Sequence, residues 1–377
     1  MLKSLKIENF RCFQSFELQQ LGRVNLLVGT NNSGKTSILE AIQLLCSRNN
    51  IEPLAEAMNR RGEYFFSDGD RVASKFEFDV SHLFYGHQIQ SGNSFSISGI
   101  NNDVFEKVSA FVLEAQINQN ISDYRIKQTL EDEDSDKPLG RLGELDFLLQ
   151  WSTEESEERL MRLPLGNNNG LSINRLRIYS RVADKKIANN HFVTSSSLTV
   201  EKMTELFDRV VLTPEEDLVY EALQTIEPTI DRIASFASKK LRDTDRGGFV
   251  VRFKNDAQRV PIGSMGDGIW RMLGITLAIV DTKGGILLAD EIDTGLHFSV
   301  MSDMWRLILK IAKRLNVQVF ATTHNSDCWT SLAEIANSEN NVEDGITIQR
   351  IERGKPMSII FNERQMEIAA ERGIEVR

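Results

Sequence analysis

What the chain lacks narrows it first. No apolar run approaches the roughly 20 residues that a membrane-crossing helix needs, so no membrane partner is expected. Met1-Leu-Lys-Ser-Leu-Lys6 leads straight into an alternating segment, without the order of a secretory leader. Cysteine is scarce: Cys12, Cys46 and Cys328 are odd in number and far apart. They supply neither a disulfide frame nor metal-ligand spacing, and read as reduced thiols of a cytoplasmic protein. Positive charge is short as well. With 44 Lys plus Arg against 54 Asp plus Glu, the net charge of −10 argues against a surface that coats nucleic acid. A local basic groove stays open. No repeat of solenoid period is visible.

What is present suits a soluble globular chain of two or three lobes: 377 residues, 41% hydrophobic and 26% charged. Its organising stretch is Gly29-Thr-Asn-Asn-Ser-Gly34-Lys35-Thr36-Ser37, which fits the phosphate-loop spacing G-x-x-x-x-G-K-[ST] at every required position. Val24-Asn-Leu-Leu-Val28 before it reads as a buried strand, and residues 37–45 after it as a helix. Strand, glycine loop and helix N-terminus together form an anion site. Gly29, Asn31, Asn32, Ser33, Gly34, Lys35, Thr36 and Ser37 are the expected ATP-binding residues. Lys35 reaches the β/γ-phosphates, and Thr36 offers its hydroxyl to Mg²⁺. A Gly/Asn turn with an accidental lysine is the alternative, and both flanks argue against it.

Residues 2–10 and 13–18 read as half-buried strands joined by a turn at Arg11-Cys12. Residues 51–66 read as helical. Residues 71–80, 94–98 and 104–117 read as strands of an antiparallel sheet. Residues 130–172 read as the least structured part, with the acidic run Glu131-Asp-Glu-Asp-Ser-Asp136 and the loop Leu165-Gly-Asn-Asn-Asn-Gly170 as solvated tips. In 200–240, Val219, Ala222, Leu223, Ile226, Ile230, Ile233 and Ala237 fall at helical spacing and predict an inserted helical lobe, with the stripe as core. Residues 248–262 return to strand. Residues 345–352 and 357–361 read as a hairpin, and 362–373 as a helix.

Three further stretches carry chemistry. Lys283-Gly-Gly-Ile-Leu-Leu-Ala-Asp290-Glu291 is an apolar strand ending in two carboxylates. Asp290 is expected to hold the Mg²⁺ shell and Glu291 to polarise the attacking water. Val317-Gln-Val-Phe-Ala-Thr-Thr323-His324 is a second buried strand, one helix-sized crossover later. A parallel sheet puts His324 on the same carboxyl edge as the phosphate loop, where it contacts the γ-phosphate. Ser264-Met-Gly266-Asp267-Gly268 opens a helix 26 residues before Asp290 and is a second anion loop.

Taken together, these stretches resemble the ATP-binding-cassette branch of P-loop ATPases, and within it the RecF/SMC/OLD-like group often labelled AAA15 or AAA21. The resemblance rests on Ile7-Glu-Asn-Phe-Arg11, the phosphate loop, Leu212-Thr-Pro-Glu-Glu-Asp217 with Ile226-Glu-Pro228, Ser264–Gly268, Asp290-Glu-Ile-Asp-Thr-Gly-Leu-His297 and Thr322-Thr-His-Asn325. It implies an α/β fold of ABC-ATPase type: a mixed sheet with an added antiparallel β-subdomain and the helical lobe. It divides the chain into 1–199, 200–246 and 247–377. It also implies a homodimer or higher oligomer sandwiching two ATP molecules. Ser264, Gly266, Asp267 and Gly268 of one copy then face the phosphate loop of the other, with Asp293 at the seam. The glutamine-loop contact is left between Gln88 and Gln116. Arg11 and Phe13 are placed near the nucleotide by analogy.

OLD-like nucleases carry a Toprim domain after the ATPase. Only 53 residues follow His324, without Asp-x-Asp, so no intrinsic nuclease is expected. An effector protein such as a nuclease supplied in trans, of anti-phage type, is one expected partner. DNA is the other, through Arg175, Arg177, Arg181, Lys185 and Lys186 or through Lys239, Lys240, Arg242 and Arg246. Those clusters also fit solvated faces. A third reading is a scaffold that binds ATP and hardly turns it over. Transporter cassettes fit poorly, with 229 residues between Lys35 and Ser264.

Overall fold

A computed structural model describes residues 1–48, 50–67, 75–115, 142–154, 157–166, 168–173, 176, 189–236, 248–254, 256–338 and 345–376. The acidic run at 131–136, Gln116 and both basic clusters, at 175–186 and 239–246, lie outside the described residues. The chain forms two compact units. One joins Gln19–Leu39 to Asn189–Arg377, with Met1, and the other joins Leu2–Leu18 to Glu40–Ala188.

The second unit is mostly antiparallel sheet. β1 (Leu2–Phe10) and β2 (Phe13–Leu18) pair through the Arg11-Cys12 turn, where Asn9 and Arg11 take positive φ. Leu2, Leu5, Ile7 and Phe10 point inward along β1. β6 (Ser94–Asn101), β7 (Val104–Glu114), β8 (Leu142–Thr153) and β9 (Glu157–Gly166) complete the order β2-β1-β6-β7-β8-β9. A small sheet holds β4 (Tyr64–Ser67), β5 (Lys75–Asp79) and β10 (Gly170–Ser172). α2 (Glu52–Arg60) has Pro53 in its first turn and ends before the strand, so the helix expected over 51–66 is shorter.

Residues 142–166 correct the expectation of an unstructured stretch. β8 and β9 are long paired strands, and Phe147, Leu149, Trp151, Leu163 and Leu165 are buried. The acidic run beside them hid an alternating apolar pattern. Arg11 is buried in the same unit, with Nε 2.6 Å from Glu40 and Nη1 2.7 Å from Glu63. Its guanidinium is thereby committed to ion pairs inside its own unit.

The first unit is built on a six-stranded sheet of order β11-β15-β16-β3-β17-β18. β11 (Asn190–Val193), β15 (Ile286–Ala289), β16 (Gln318–Thr323), β3 (Val24–Val28) and β17 (Ile346–Arg350) are parallel, and β18 (Ile359–Phe361) runs antiparallel. The central strands are buried along their whole length, as parallel strands are when both faces are covered. The helices of this unit are α3 (Val200–Val210), α4 (Glu216–Ile226), α5 (Asp267–Asp281), α6 (Met301–Leu315), α7 (Ser326–Ser338) and α8 (Glu363–Glu371). The apolar residues of α3 and α4 join one core with α5, α6 and one face of the sheet.

The helical spacing read across 219–237 breaks at residue 227. Residues 230–235 form β12 (Ile230–Ser235), paired with β13 (Phe249–Phe253), which also pairs with β14 (Asp256–Pro261). A register shift between Ile230 and Arg232 lets Ile230 and Ile233 both face inward although they are three apart. The bulge mimics a helical interval. Ala237 lies outside the described residues. Among the described residues no helix is long and apolar enough to cross a membrane.

Candidate functional site

Register brings the pieces to one edge. Val28 pairs with Thr323, and Ala289 with Ala321, so Gly29, Asp290, Glu291 and His324 all emerge at the carboxyl ends of neighbouring parallel strands. All belong to the first unit.

The loop leaves β3 at Gly29, whose φ is +148°. A Cβ there would lie 2.4 Å from the Ile351 carbonyl oxygen, so only glycine fits. Asn32 and Gly34 also take positive φ, and the chain enters α1 (Lys35–Ser47) with Ile38 N donating to Gly34 O. Asn31 and Asn32 are exposed, whereas Ser33, Lys35 and Ser37 are buried. The Ser33 hydroxyl is buried without a hydrogen-bond partner among the described residues. Lys35 Nζ donates to the carbonyls of Gly29 (2.8 Å) and Thr30 (3.0 Å). Burial holds its pKa below the ordinary lysine value, against the pull of Asp290 and Glu291. An ammonium folded onto its own loop is a cation in want of an anion.

Asp290 is the hub of the edge. Its carboxylate accepts from Thr36 Oγ1 at 3.0 and 3.1 Å and from Thr322 Oγ1 at 2.7 Å. These hard oxygens fit Mg²⁺. Their separation matches the edge of an octahedron, about 3 Å for bonds of about 2.1 Å. Glu291 takes φ +46°, and its N–H donates to Thr322 Oγ1 at 2.8 Å. Its half-exposed carboxylate lies 3.5 Å from His324 Nδ1. Sequence reasoning named Asp290, Glu291 and His324, and the structure brings them together.

The signature stretch forms a 3₁₀ turn over Ile262–Met265, then Gly266 at φ +92°, then α5. Ser264, Gly266 and Asp267 are exposed at this helix N-terminus, and Gly268 is half-buried. Asp293, expected at the dimer seam, is 8% exposed in the single chain, and its carboxylate accepts from Thr323 Oγ1 at 2.7 Å. Thr294 and Gly295 are what this turn presents outward.

Two residues escaped sequence reasoning. Thr322 bridges Asp290 and Glu291, but a threonine at a strand end carries no signal. Arg271 is the other, a buried guanidinium on α5 directed at the turn after β15. A lone arginine amid Ile269-Trp270 and Met272-Leu273 was a signal of a buried partner.

The profile of the AAA ATPase domain family matches residues 1–328. An ATP/GTP phosphatase of Helicobacter pylori is 25% identical over 363 residues, covering 90% of each chain. A DNA replication and repair protein RecF of Clostridioides difficile is 32% identical over 26% of this chain and 22% of its own. An OLD nuclease of Thermus scotoductus is 49% identical over 45 residues, which is 12% of this chain and 8% of that one.

Proposed function

This chain belongs to the AAA ATPase domain family and hydrolyses ATP, and from that premise we propose how its residues divide the work. The loop N–H groups and Lys35 bind the phosphates. Lys35 exchanges its two carbonyl acceptors for phosphate oxygens and loses the burial cost it carries alone. Thr36 and Asp290 would hold Mg²⁺, which when bound would neutralise phosphate charge. Glu291 orients water and takes its proton as the water oxygen bonds the γ-phosphorus. The β–γ bridging P–O bond breaks, and ADP leaves with the electron pair. His324, beside Glu291, contacts the γ-phosphate.

The observation that carries this reading is the Asp290 carboxylate, 3.0 Å from Thr36 Oγ1 and next in sequence to Glu291. Steady-state phosphate release by wild type and Glu291→Gln tests it. The variant is expected to lose on the order of 10²–10⁴-fold in turnover while still binding ATP. Equal rates would sink it.

The remaining elements support a homodimer in which Ser264, Gly266, Asp267 and Gly268 complete the partner copy's site, with Asp293 and the exposed Thr294 and Gly295 beside it at the seam. In this reading the ATP cycle of the cytoplasmic dimer gates an effector protein, of nuclease type, in an anti-phage role. The short OLD nuclease likeness favours it. A second reading, an ATP-dependent DNA clamp for repair, is favoured by the longer RecF likeness. Salt-dependent, ATP-dependent DNA binding selects the clamp. A second polypeptide retained through native purification, with no DNA effect on turnover, selects the effector.

A further inference from the structure

Every residue of α5 from Ile269 to Val280 is buried, and Arg271 is the charged one among them. It is 2% exposed. Among the described residues no carboxylate forms an ion pair with it. Its hydrogen-bond acceptors are four backbone carbonyls. Nη2 donates to Asp290 O at 2.7 Å and to Glu291 O at 2.9 Å, Nε donates to Ile292 O at 3.4 Å, and Nη1 donates to Thr194 O. Burial pulls its pKa down to about 10, against the nearby Asp293, Asp290 and Glu291, and leaves it charged at neutral pH.

A buried cation without a paired anion costs stability, and an apolar side chain would suit this helix better. What the guanidinium supplies instead is direction. Three consecutive carbonyls, from Asp290 to Ile292, are gripped by one rigid fork. The middle residue of the three needs such a grip. Glu291 is a non-glycine residue in the left-handed region, which persists only where surrounding bonds over-determine it. Thr322 Oγ1 fixes its N–H and Arg271 fixes its carbonyl.

We propose that Arg271 is a positioning residue for hydrolysis, clamping the Asp290–Ile292 backbone so that the Glu291 carboxylate stays on the attacking water. This rests on the role given to Glu291 above. The clamp also reaches the signature loop. Arg271 lies one helical turn from Asp267. A Cβ at Gly295, whose φ is +77°, would stand 2.8 Å from Asp267 Cβ. The helix start and the turn that continues from Glu291 are therefore packed as one block. A partner docking on Ser264–Gly268 pushes on the same body that holds Glu291.

The test uses the full chain as wild type, Arg271→Lys, Arg271→Ala, Glu291→Gln and the Arg271→Lys/Glu291→Gln double variant. Lysine keeps the charge but loses the fork. Arg271→Lys is expected to lower kcat by on the order of 10²-fold, the usual cost of a small misplacement, with KM and the Kd for a non-hydrolysable ATP analogue near wild type. In the Glu291→Gln background the same change should add almost nothing, because both act through one carboxylate. Added guanidinium ion should raise turnover of Arg271→Ala. Wild-type kcat in Arg271→Lys overturns the proposal. So does an equal loss with and without Glu291. Loss of nucleotide binding together with turnover in both single variants marks Arg271 as framework and overturns it too. Failure of the underlying reading is seen separately, as undiminished turnover in Glu291→Gln.

Discussion

At Gly29 two restraints meet: a backbone conformation closed to side chains and a carbonyl 2.4 Å from where a Cβ would stand. Gly29→Ala must therefore move either the loop or Ile351. ATP affinity measured by calorimetry is expected to fall by roughly 5- to 150-fold, since such overpacking costs roughly 1–3 kcal/mol. Far from the phosphate loop, Asp281 accepts from His191 Nε2 at 2.7 Å and from Arg209 at 3.2 Å. Chiefly the His191 hydrogen bond, then Arg209, holds its carboxyl below the usual range. A depressed carboxylate stabilises the fold above the unfolded pKa, near 3.9, and that contribution fades as pH falls through the lower folded value. Asp281→Asn should lower Tm by roughly a few °C at pH 7, with the gap closing below about pH 4. Residues of this scale were unevenly legible. Gly29, Lys35 and Thr36, and likewise Asp290 and Glu291, announce themselves because each set has a fixed spacing within one short segment. Arg271 and Thr322 act on carbonyls and an N–H that any residue would supply, so only the fold reveals their targets.

Among the elements, α6 shows how a sequence stripe becomes structure. Met301, Met304, Trp305, Ile308, Ile311, Ala312 and Leu315 are buried at helical spacing, Leu307 and Leu309 widen the buried face, and Asn316 closes the helix in the left-handed conformation. Trp305 is fully buried, and its Nε1 donates to Cys328 O at 3.0 Å. Trp305→Ala leaves a cavity and removes this hydrogen bond, at a cost of about 3–5 kcal/mol. The denaturant midpoint should drop accordingly, with the slope unchanged. This crossover helix was readable because the chain between two apolar strands has the length of one helix. β12 was not, because its bulge spaced two inward isoleucines like successive helical turns. β8 and β9 were missed because an acidic neighbour outweighed their alternation, and β11, a strand of only four residues, offered too short a pattern. The strands that carry Gly29, Asp290 and His324 were legible because each is an apolar run ending in a polar group.

For the whole molecule, the ATPase follows from the family, whereas the assembly is a matter for solution measurement. With a non-hydrolysable ATP analogue, scattering should report a doubling of mass. Ser264→Arg should bind ATP near normally yet fail to hydrolyse it if, as in the proposed homodimer, the exposed loop completes another copy's site. Mixed with Lys35→Ala, it should regain part of its turnover at one composite site. A mixture that stays inert argues against sharing between copies.

The Ile351 carbonyl beside Gly29 has one more consequence. Ile351 N donates to Val28 O at 2.8 Å, at the end of β17, so the residue backing the first phosphate-loop glycine is tied to the very strand that feeds the loop. It lies beyond the 328 residues that the family profile matches. A chain cut after His324 would keep every motif yet lose the carbonyl behind Gly29, so the nucleotide loop depends on a strand that carries no motif of its own.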